Sequence, residues 1–410
     1  MTEASIVTAE DSRIWRNPSF RHFASSRVLS SAAFQATNVG LGWLLYDRTH
    51  NAFDLGLVGL CQFLPMVVLT FLVGHVADRF DRRRIGLICQ IVEAADLLLI
   101  ALGVWTDWLT VGEIFAAVAL LGAAQAFERP TMAALLPSAV SSTVLPQAIA
   151  GSASVQQTAM IVGPSLGGLL YGVAPVAPFL FAALCFAAAS LNVIRIRIVE
   201  VPSKREPVSL KSVFAGVSFI WHRPIILGTI SLDLFAVLLG GATALLPIYA
   251  RDILHAGPWG LGVLRSAPAL GALLMSLVLA RYPLRRKVGM KMFHAVAVFG
   301  LGTLVFALST NIVLTVAALF VIGAADNISV VVRSSLVQLL TPDQMRGRVN
   351  AVNSLFIGTS NQLGEFESGM LAGFVGAVPA AVIGGAGTLL VVLIWMRLFP
   401  ALRAADRFTS

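Results

Sequence analysis

Several acidic side chains lie inside long apolar stretches of this 410-residue chain, and four of them are candidates for proton exchange. A charge at the centre of a lipid bilayer costs at least about 2.5–3.5 kcal/mol, so an acid kept there is by default a functional candidate. Such an acid can take up a proton when a positive partner leaves it. The candidates, in order of preference, are Asp326, Glu365, Asp233 and Glu367. For each of them the alternative is a structural hydrogen bond to a neighbouring helix.

Other kinds of chemistry find no support in the sequence. The three cysteines, Cys61, Cys89 and Cys185, lie in separate apolar runs without a C-x-x-C pair, which argues against a zinc site or a disulfide framework. The chain contains no G-x-x-x-x-G-K-[ST] motif that would bind ATP. It also lacks a cluster of His, Asp or Glu, or a nucleophile with its base, at one membrane face. We therefore expect no metal, no cofactor and no enzymatic activity.

The elements that must position these acids are membrane-spanning helices. Hydrophobic residues make up 57% of the chain and charged residues 12%, against about 25% charged in soluble domains, so neither a soluble nor a disordered protein fits. A spanning helix needs about 20 mostly apolar residues. Twelve such stretches follow one another, at residues 23–46, 53–75, 85–105, 110–136, 148–173, 177–197, 225–249, 259–280, 288–308, 312–340, 350–375 and 379–399.

The distribution of basic residues predicts the orientation of these spans. With the N-terminus in the cytoplasm, 23 of the 29 Lys and Arg residues fall in cytoplasmic segments, as the positive-inside rule requires. Both termini are then cytoplasmic. The net charge of +8 is therefore an orientation signal and does not indicate nucleic-acid binding. The first 20 residues lack the pattern of a cleaved signal peptide.

An internal repeat predicts two six-helix halves. Residues 77–86 match residues 280–289 at an offset of 203, and residues 163–172 match residues 364–373 at an offset of 201. A long polar interruption near the middle of the chain separates the two copies. The predicted organisation is a cytoplasmic segment 1–22, a six-helix bundle 23–198, a linker 199–222, a second six-helix bundle 223–400 and a cytoplasmic tail 401–410.

The loop after the second span carries a family signature, formed by Gly74, Asp78, Arg79, Arg82 and Arg83. It resembles the G-x-x-x-D-R-x-x-R-R motif between helices two and three of the major facilitator superfamily, whose fold is two parallel six-helix repeats. An aspartate at a helix end can pair with an arginine and with a helix N-terminus, which makes a conformational latch. The alternative is a plain positive-inside anchor. The second copy lacks the acid.

Two further resemblances concern the activity. Gly163, Pro164, Gly167 and Gly168 are similar to the G-P-x-x-G-G motif in the fifth helix of proton-coupled exporters of this superfamily. Residues 326–369 resemble the bacterial enterobactin-exporter family and, more distantly, the macrolide-efflux proteins. The resemblance implies a monomer in the bacterial inner membrane that exports siderophores or drugs by alternating access, driven by protons.

In that fold the first, fourth, seventh and tenth helices line the cargo cavity. The candidates for contacting cargo are therefore the polar side chains of these helices and of the eleventh, which are Gln35, Asn38, Glu128, Arg129, Arg333, Asn361 and Gln362. Arg129 and Arg333 match each other in the repeat and would suit an anionic or catecholate cargo. The alternative is a salt bridge, Arg129 with Glu128 or Arg333 with Asp326.

Several alternatives stay open at this point. A multidrug pump would take lipophilic cations, for which Asp326 and Asp233 would be suitable. A proton-coupled importer and a sensor with the transporter fold are less favoured. Glu93 and Asp96 share a face of the third helix and are interpreted as contacts to the motif-bearing loop or a neighbouring helix. Glu365 and Glu367 stand about 200° apart around a helix, so they cannot both face one cavity.

Overall fold

The computed structural model describes residues 14–141, 143–198, 210–284 and 286–407. At residues 70, 71, 74, 75, 77, 78, 210–213, 242, 343 and 351 it describes the backbone only. The described residues are almost entirely helical, and they contain no β-strand. The helices are α1 (Pro18–Thr49), α2 (Ala52–Arg79), α3 (Arg82–Trp105), α4 (Val111–Ala139), α5 (Leu145–Val173), α6 (Ala177–Ile194), α7 (Leu210–Trp221), α8 (Pro224–Leu239), α9 (Leu246–Ile248), α10 (Gly257–Arg281), α11 (Val288–Leu308), α12 (Ile312–Leu340), α13 (Asp343–Val375), α14 (Ala377–Leu398) and α15 (Pro400–Arg403).

Eleven of the twelve predicted spans each overlap one of these helices along most of their length. Within the described ranges, nine helical segments are long and apolar enough to cross a membrane, by length and composition. The other three predicted spans lie on α1, α5 and α13, which have 32, 29 and 33 residues. α1 and α13 carry many of the polar candidates, which lowers their hydropathy. The fold is therefore the all-α membrane architecture that the sequence predicts.

Local sequence signals set where several helices begin. Asp81 precedes α3 and accepts a hydrogen bond from the backbone N–H of Arg83 at 2.9 Å. Thr110 and Glu113 form a capping box at the start of α4. Asn311 accepts from two backbone N–H groups at the start of α12. These side chains satisfy amide groups that have no partner inside the first helical turn.

The seventh predicted span, 225–249, is not one continuous helix. α8 ends at Leu239, and a 3₁₀ turn (Ala242–Leu245), α9 and a π turn (Tyr249–Ile253) follow. Gly240 and Gly241 stand at the break, where α13 comes very close. A Cβ on Gly241 would lie 2.5 Å from the carbonyl oxygen of Gly364. The break thus occurs where two backbones touch and glycine is required.

The helices group into two compact units. The first unit contains the described residues of Met1–Gly40 and Leu64–Pro207, and the second contains those of Leu41–Phe63 and Val208–Ser410. In the first, α3 packs against α4 and α6, and in the second α12 packs against α10 and α11. The predicted bundle limits stay a prediction. The start of the predicted linker, 199–209, lies outside the described residues, and Leu210–Trp221 form α7.

Candidate functional site

A buried ion pair joins α8 to α12 in the second unit. Arg333 donates a hydrogen bond to Asp233, and their side chains are only 4% and 6% exposed. Ser329 donates to the other carboxylate oxygen of Asp233 at 3.3 Å. The sequence offered Asp326 as the salt-bridge partner of Arg333, but the structure pairs Arg333 with Asp233. That pairing crosses between helices, so it depends on how α8 and α12 pack.

Asp326 completes this cluster. It lies two helical turns before Arg333 on α12 and is partly buried. Asp326, Asp233 and Ser329 line a small cavity of about 10 Å³, near the smallest volume that can hold one water molecule. With both carboxylates ionised the cluster carries a charge of −1, and with one proton bound it is neutral. The arrangement can therefore exchange one proton.

Glu365, on α13, belongs to a second charged site. It interacts electrostatically with Arg265 and is hydrogen-bonded by Thr243. Gly59 of α2 approaches so closely that its Cβ would lie 3.1 Å from the Cβ of Glu365. Neither Arg265 nor Thr243 was predicted from the sequence as a site residue. The signal for Arg265 was its position six residues inside a predicted span.

The other predicted site residues on α13 differ from Glu365 in their surroundings. Gln362 stands one turn before Glu365 and has a buried side-chain oxygen without a hydrogen-bond partner. Asn361 is exposed. The Glu367 carboxylate accepts a hydrogen bond from the neighbouring Ser368 hydroxyl at 3.4 Å. Glu365 and Glu367 thus have different surroundings, as their angular separation predicts.

A polar cavity of about 420 Å³ lies within the first unit, between α1, α4 and α5. This volume is in the usual range for small-molecule sites. It is lined by Arg27, Ser30, Ser31, Phe34, Gln35, Gln125, Glu128, Arg129, Gln156 and Met160. Three predicted cargo residues, Gln35, Glu128 and Arg129, therefore come together. Asn38 is partly buried one turn further along α1 and is not among the lining residues.

Two arginines give this cavity its positive character. Arg129 donates through Nε to the side-chain oxygen of Gln125 at 2.8 Å, and its guanidinium lies 5.1 Å from the ring centroid of Phe34. Arg27 donates to Gln156 at 3.1 Å. Arg27 was not predicted from the sequence as a site residue, although it lies four residues inside the first predicted span. The Glu128 carboxylate offered as a partner of Arg129 accepts instead from Gln90 and Gln125.

The glycine motif of α5 packs against α1, one of the helices that line the same cavity. Gly163, Pro164, Gly167 and Gly168 are all buried. A Cβ on Gly163 would lie 2.7 Å from the Cβ of Gln35, and one on Gly167 would lie 2.7 Å from the Cα of Ala36. The motif therefore allows α5 to touch α1 beside a cavity residue.

The signature loop ties α3 to its neighbours. Arg82 donates to the carbonyl oxygen of Ala134 at 3.2 Å, and Arg83 forms an ion pair with Asp81 at 3.0 Å. The hydrogen bond from Arg83 lowers the pKa of Asp81 below its usual 3.8. Arg79 is exposed, while the side chain of Asp78 and any contacts of Gly74 lie outside what the structure describes. The predicted latch acid is thus not located.

In the parts of the chain that the structure describes, no three His, Cys, Asp or Glu side chains converge on a possible metal position.

Comparisons with known proteins give a consistent result. A family model described as "Transmembrane secretion effector" (MFS_3) matches residues 14–410. The multidrug efflux pump Tap of Mycolicibacterium fortuitum is 26% identical over 358 residues, covering 83% of this chain and 86% of that protein. The enterobactin exporter EntS of Citrobacter koseri is 25% identical over 403 residues, covering 94% and 93%. The crystal structure of a POT family transporter in complex with 5-aminolevulinic acid matches with a TM-score of 0.74 and 12% identity, over 93% of this chain and 96% of that chain. These findings confirm the resemblance that the motifs indicate.

Proposed function

Because the chain belongs to the transmembrane secretion effector family of the major facilitator superfamily and is an efflux transporter of that superfamily, we propose that it exchanges protons for a small molecule. It carries the molecule outward across the bacterial inner membrane by alternating access, as a monomer with both termini in the cytoplasm. The signature loop, including Asp78, acts as the latch of this cycle. The moving parts are the predicted bundles 23–198 and 223–400.

The observation that carries the proposal is the polar cavity of the first unit. It holds two guanidinium groups, Arg27 and Arg129, against one carboxylate among its lining residues, that of Glu128. A guanidinium presents a fork of donors that matches the oxygen pairs of a carboxylate or catecholate. The most suitable cargo is therefore a hydroxyl-rich or anionic molecule of the siderophore type. The similarity to an enterobactin exporter supports the same cargo class.

The driving proton is assigned to the cluster of Asp233, Asp326 and Arg333. Its charge count allows it to bind one proton, and Asp326 is the carboxylate that the arginine does not pair with directly. One proton that crosses a potential of 100 mV supplies about 2.3 kcal/mol. This free energy supports a concentration ratio of about 50-fold. Glu365 beside Arg265 is the second candidate for the proton.

A multidrug pump is the alternative function. The similarity to the multidrug efflux pump Tap supports it, as do the partly buried acids Asp326 and Glu365, which would suit lipophilic cations. Import is less favoured.

The test uses everted membrane vesicles that contain the full chain and have an acidic lumen. We expect uptake of a catecholate siderophore that an uncoupler abolishes. Arg129→Gln should reduce this uptake about 10- to 100-fold, since a hydrogen bond to a charged group contributes about 1.5–3 kcal/mol. Arg16→Gln, at an exposed arginine, is the matched control and should leave uptake unchanged. Asp326→Asn should abolish the dependence on the gradient.

Three outcomes would contradict the siderophore proposal. Uptake of a lipophilic cationic dye alone would favour the multidrug alternative. Accumulation of the siderophore in right-side-out vesicles would indicate import. Uptake that persists without a gradient would exclude proton coupling.

A further inference from the structure

A chain of buried polar side chains runs beneath the cavity of the first unit, between α3 and α4. Glu93 and Gln90 on α3 are fully buried, and Glu128 on α4 is 2% exposed. Glu128 and Arg129 form part of the cavity wall, whereas Glu93 does not line the cavity and has no role in the proposed function. A carboxyl group with no access to solvent requires an explanation, since an isolated buried charge is costly.

Gln125 connects this buried layer to the cavity. Its side-chain amide donates one hydrogen bond to Glu93 at 2.7 Å and another to Glu128 at 3.2 Å. Its oxygen accepts from the Arg129 guanidinium at 2.8 Å. Both hydrogens of the Gln125 amide are therefore donated to carboxylates, and its oxygen accepts from the arginine. Glu93 and Arg129 are therefore linked through a single residue, Gln125, which is hydrogen-bonded to both.

Several buried oxygens of α3 have no hydrogen-bond partner. They include Oε2 of Glu93, Oε1 of Gln90 and Oδ2 of Asp96. Glu93 and Gln90 stand three positions apart on α3, so their side chains share one face of the helix. Gln90 already uses its amide hydrogens on Ser26 and Glu128. A proton on Oε2 of Glu93 would therefore displace no existing hydrogen bond.

The surrounding charges make the same proton favourable. Glu93, Glu128 and Arg129 together carry −1 when both acids are ionised and are neutral when one proton is bound. α6, which also packs on α3, has only a cysteine as a titratable side chain. The titratable groups around Glu93 are Glu128 and Arg129 of α4, Asp96 and Cys89 of α3, and Cys185 of α6.

We propose that Glu93 is a second proton site, and that Gln125 is a positioning residue that transmits its protonation to Arg129 in the cavity. This inference rests on the proposed function for its cargo. A proton on Glu93 makes the neighbouring cavity more positive, so it strengthens binding of an anion and weakens binding of a cation. An anionic cargo therefore binds more tightly while Glu93 is protonated. Glu93 thus sets the loading of the cavity, while the exchanged proton belongs to the cluster at Asp326.

The first experiment needs no cargo. Infrared difference spectra of the full chain in sodium-free liposomes are recorded while pH is raised, to follow the carbonyl stretch of protonated carboxyl groups. We expect a band that disappears with rising pH and that is missing in Glu93→Gln. Glu113→Gln, at an exposed capping glutamate, should keep it. Arg129→Gln and Gln125→Met should move the midpoint to higher pH, because each removes a group that stabilises the ionised acid.

The second experiment measures binding of a catecholate siderophore across the same pH range. The wild-type dissociation constant should rise at least about fivefold through the midpoint, the lower end of typical couplings. In Glu93→Gln it should stay at the low-pH value. A pH-independent constant in the wild type would overturn the link to the cavity.

Failure of the two proposals can be told apart. A titrating band that persists in Glu93→Gln overturns the proton site even if siderophore transport is observed. A band that depends on Glu93 supports the proton site even if no probe is transported. A response to sodium ions in place of pH would overturn the assignment to a proton. If Glu93→Gln does not fold, the midpoint shift in Gln125→Met decides.

Discussion

Replacing Arg333 by Met removes the positive member of the buried ion pair between α12 and α8. Asp233 and Ser329 then lose their cationic neighbour in a site that is almost closed to solvent. Breaking a buried pair by removing one partner costs about 3–5 kcal/mol, whereas replacing both partners by neutral groups is often nearly neutral. Arg333→Met should therefore lower the free energy of unfolding by about 3–5 kcal/mol. This loss corresponds to an increase of about 10²- to 10⁴-fold in the equilibrium constant for unfolding.

The measurement is a double-mutant cycle in mixed micelles, with unfolding by SDS. Asp233→Asn should also be destabilising, toward the lower end of the range, since Asp326 can partly compensate Arg333. The double variant should be more stable than either single variant. Arg286→Met is the matched control, because Arg286 is 76% exposed and lies 3.9 Å from Asp406. An exposed pair of this kind contributes less than about 1 kcal/mol.

Two results would refute this reasoning. A loss in Arg333→Met no larger than in Arg286→Met would mean that the pair does not stabilise the second unit. A double variant as unstable as the sum of the single variants would mean that the two side chains act independently.

Three further changes test packing and exposed charges through the free energy of unfolding. Gly167→Ala places a Cβ 2.7 Å from the backbone of α1 and should lower the free energy of unfolding by about 1–3 kcal/mol. Gly172→Ala, whose Cβ would have no atom within 4 Å, should be neutral or stabilising. Equal effects of the two substitutions would contradict the tight contact at Gly167. Asp81→Ala should cost about 1 kcal/mol near neutral pH. The pKa of Asp81 is lowered by folding, so its contribution is present above the unfolded value of about 3.9 and disappears as pH falls through the lowered pKa; a difference that does not change in acid would be inconsistent with this. Arg251→Ala breaks the ion pair with Asp47, in which the arginine side chain is 28% exposed and the aspartate side chain 49%. The free energy of unfolding should fall by less than about 1 kcal/mol, and not at all in high salt. A larger loss that does not depend on salt would show that the pair is effectively buried.

The spans could be predicted because hydropathy and capping are local properties. The predicted third span, 85–105, and the fourth, 110–136, lie within a few residues of α3 and α4. The Thr110 capping box is visible in the sequence as T-x-x-E. The break after α8 was missed, since it depends on the contact of Gly241 with Gly364, which is 123 positions away.

Pairing between helices could not be read from the sequence. The spacing of Asp326 and Arg333 shows that they share a face, but it does not reveal that Asp233 comes from another helix to meet Arg333. Arg27 and Arg265 lie only a few residues inside their spans, where a long side chain ordinarily reaches the membrane surface. Tertiary packing decides which face of a helix borders a cavity, and this cannot be predicted from hydropathy.

The ion pair between α8 and α12 has a consequence for how the chain is made. Asp233 and Arg333 are 100 residues apart. At a synthesis rate of about 5–20 residues per second, Asp233 therefore exists for about 5–20 s before its partner leaves the ribosome. During this time α8 carries an acid whose insertion costs about 2.5–3.5 kcal/mol, so it waits at the insertion machinery or enters with a proton in place of the arginine. A chain that stops before α12 therefore keeps this acid without its cationic partner.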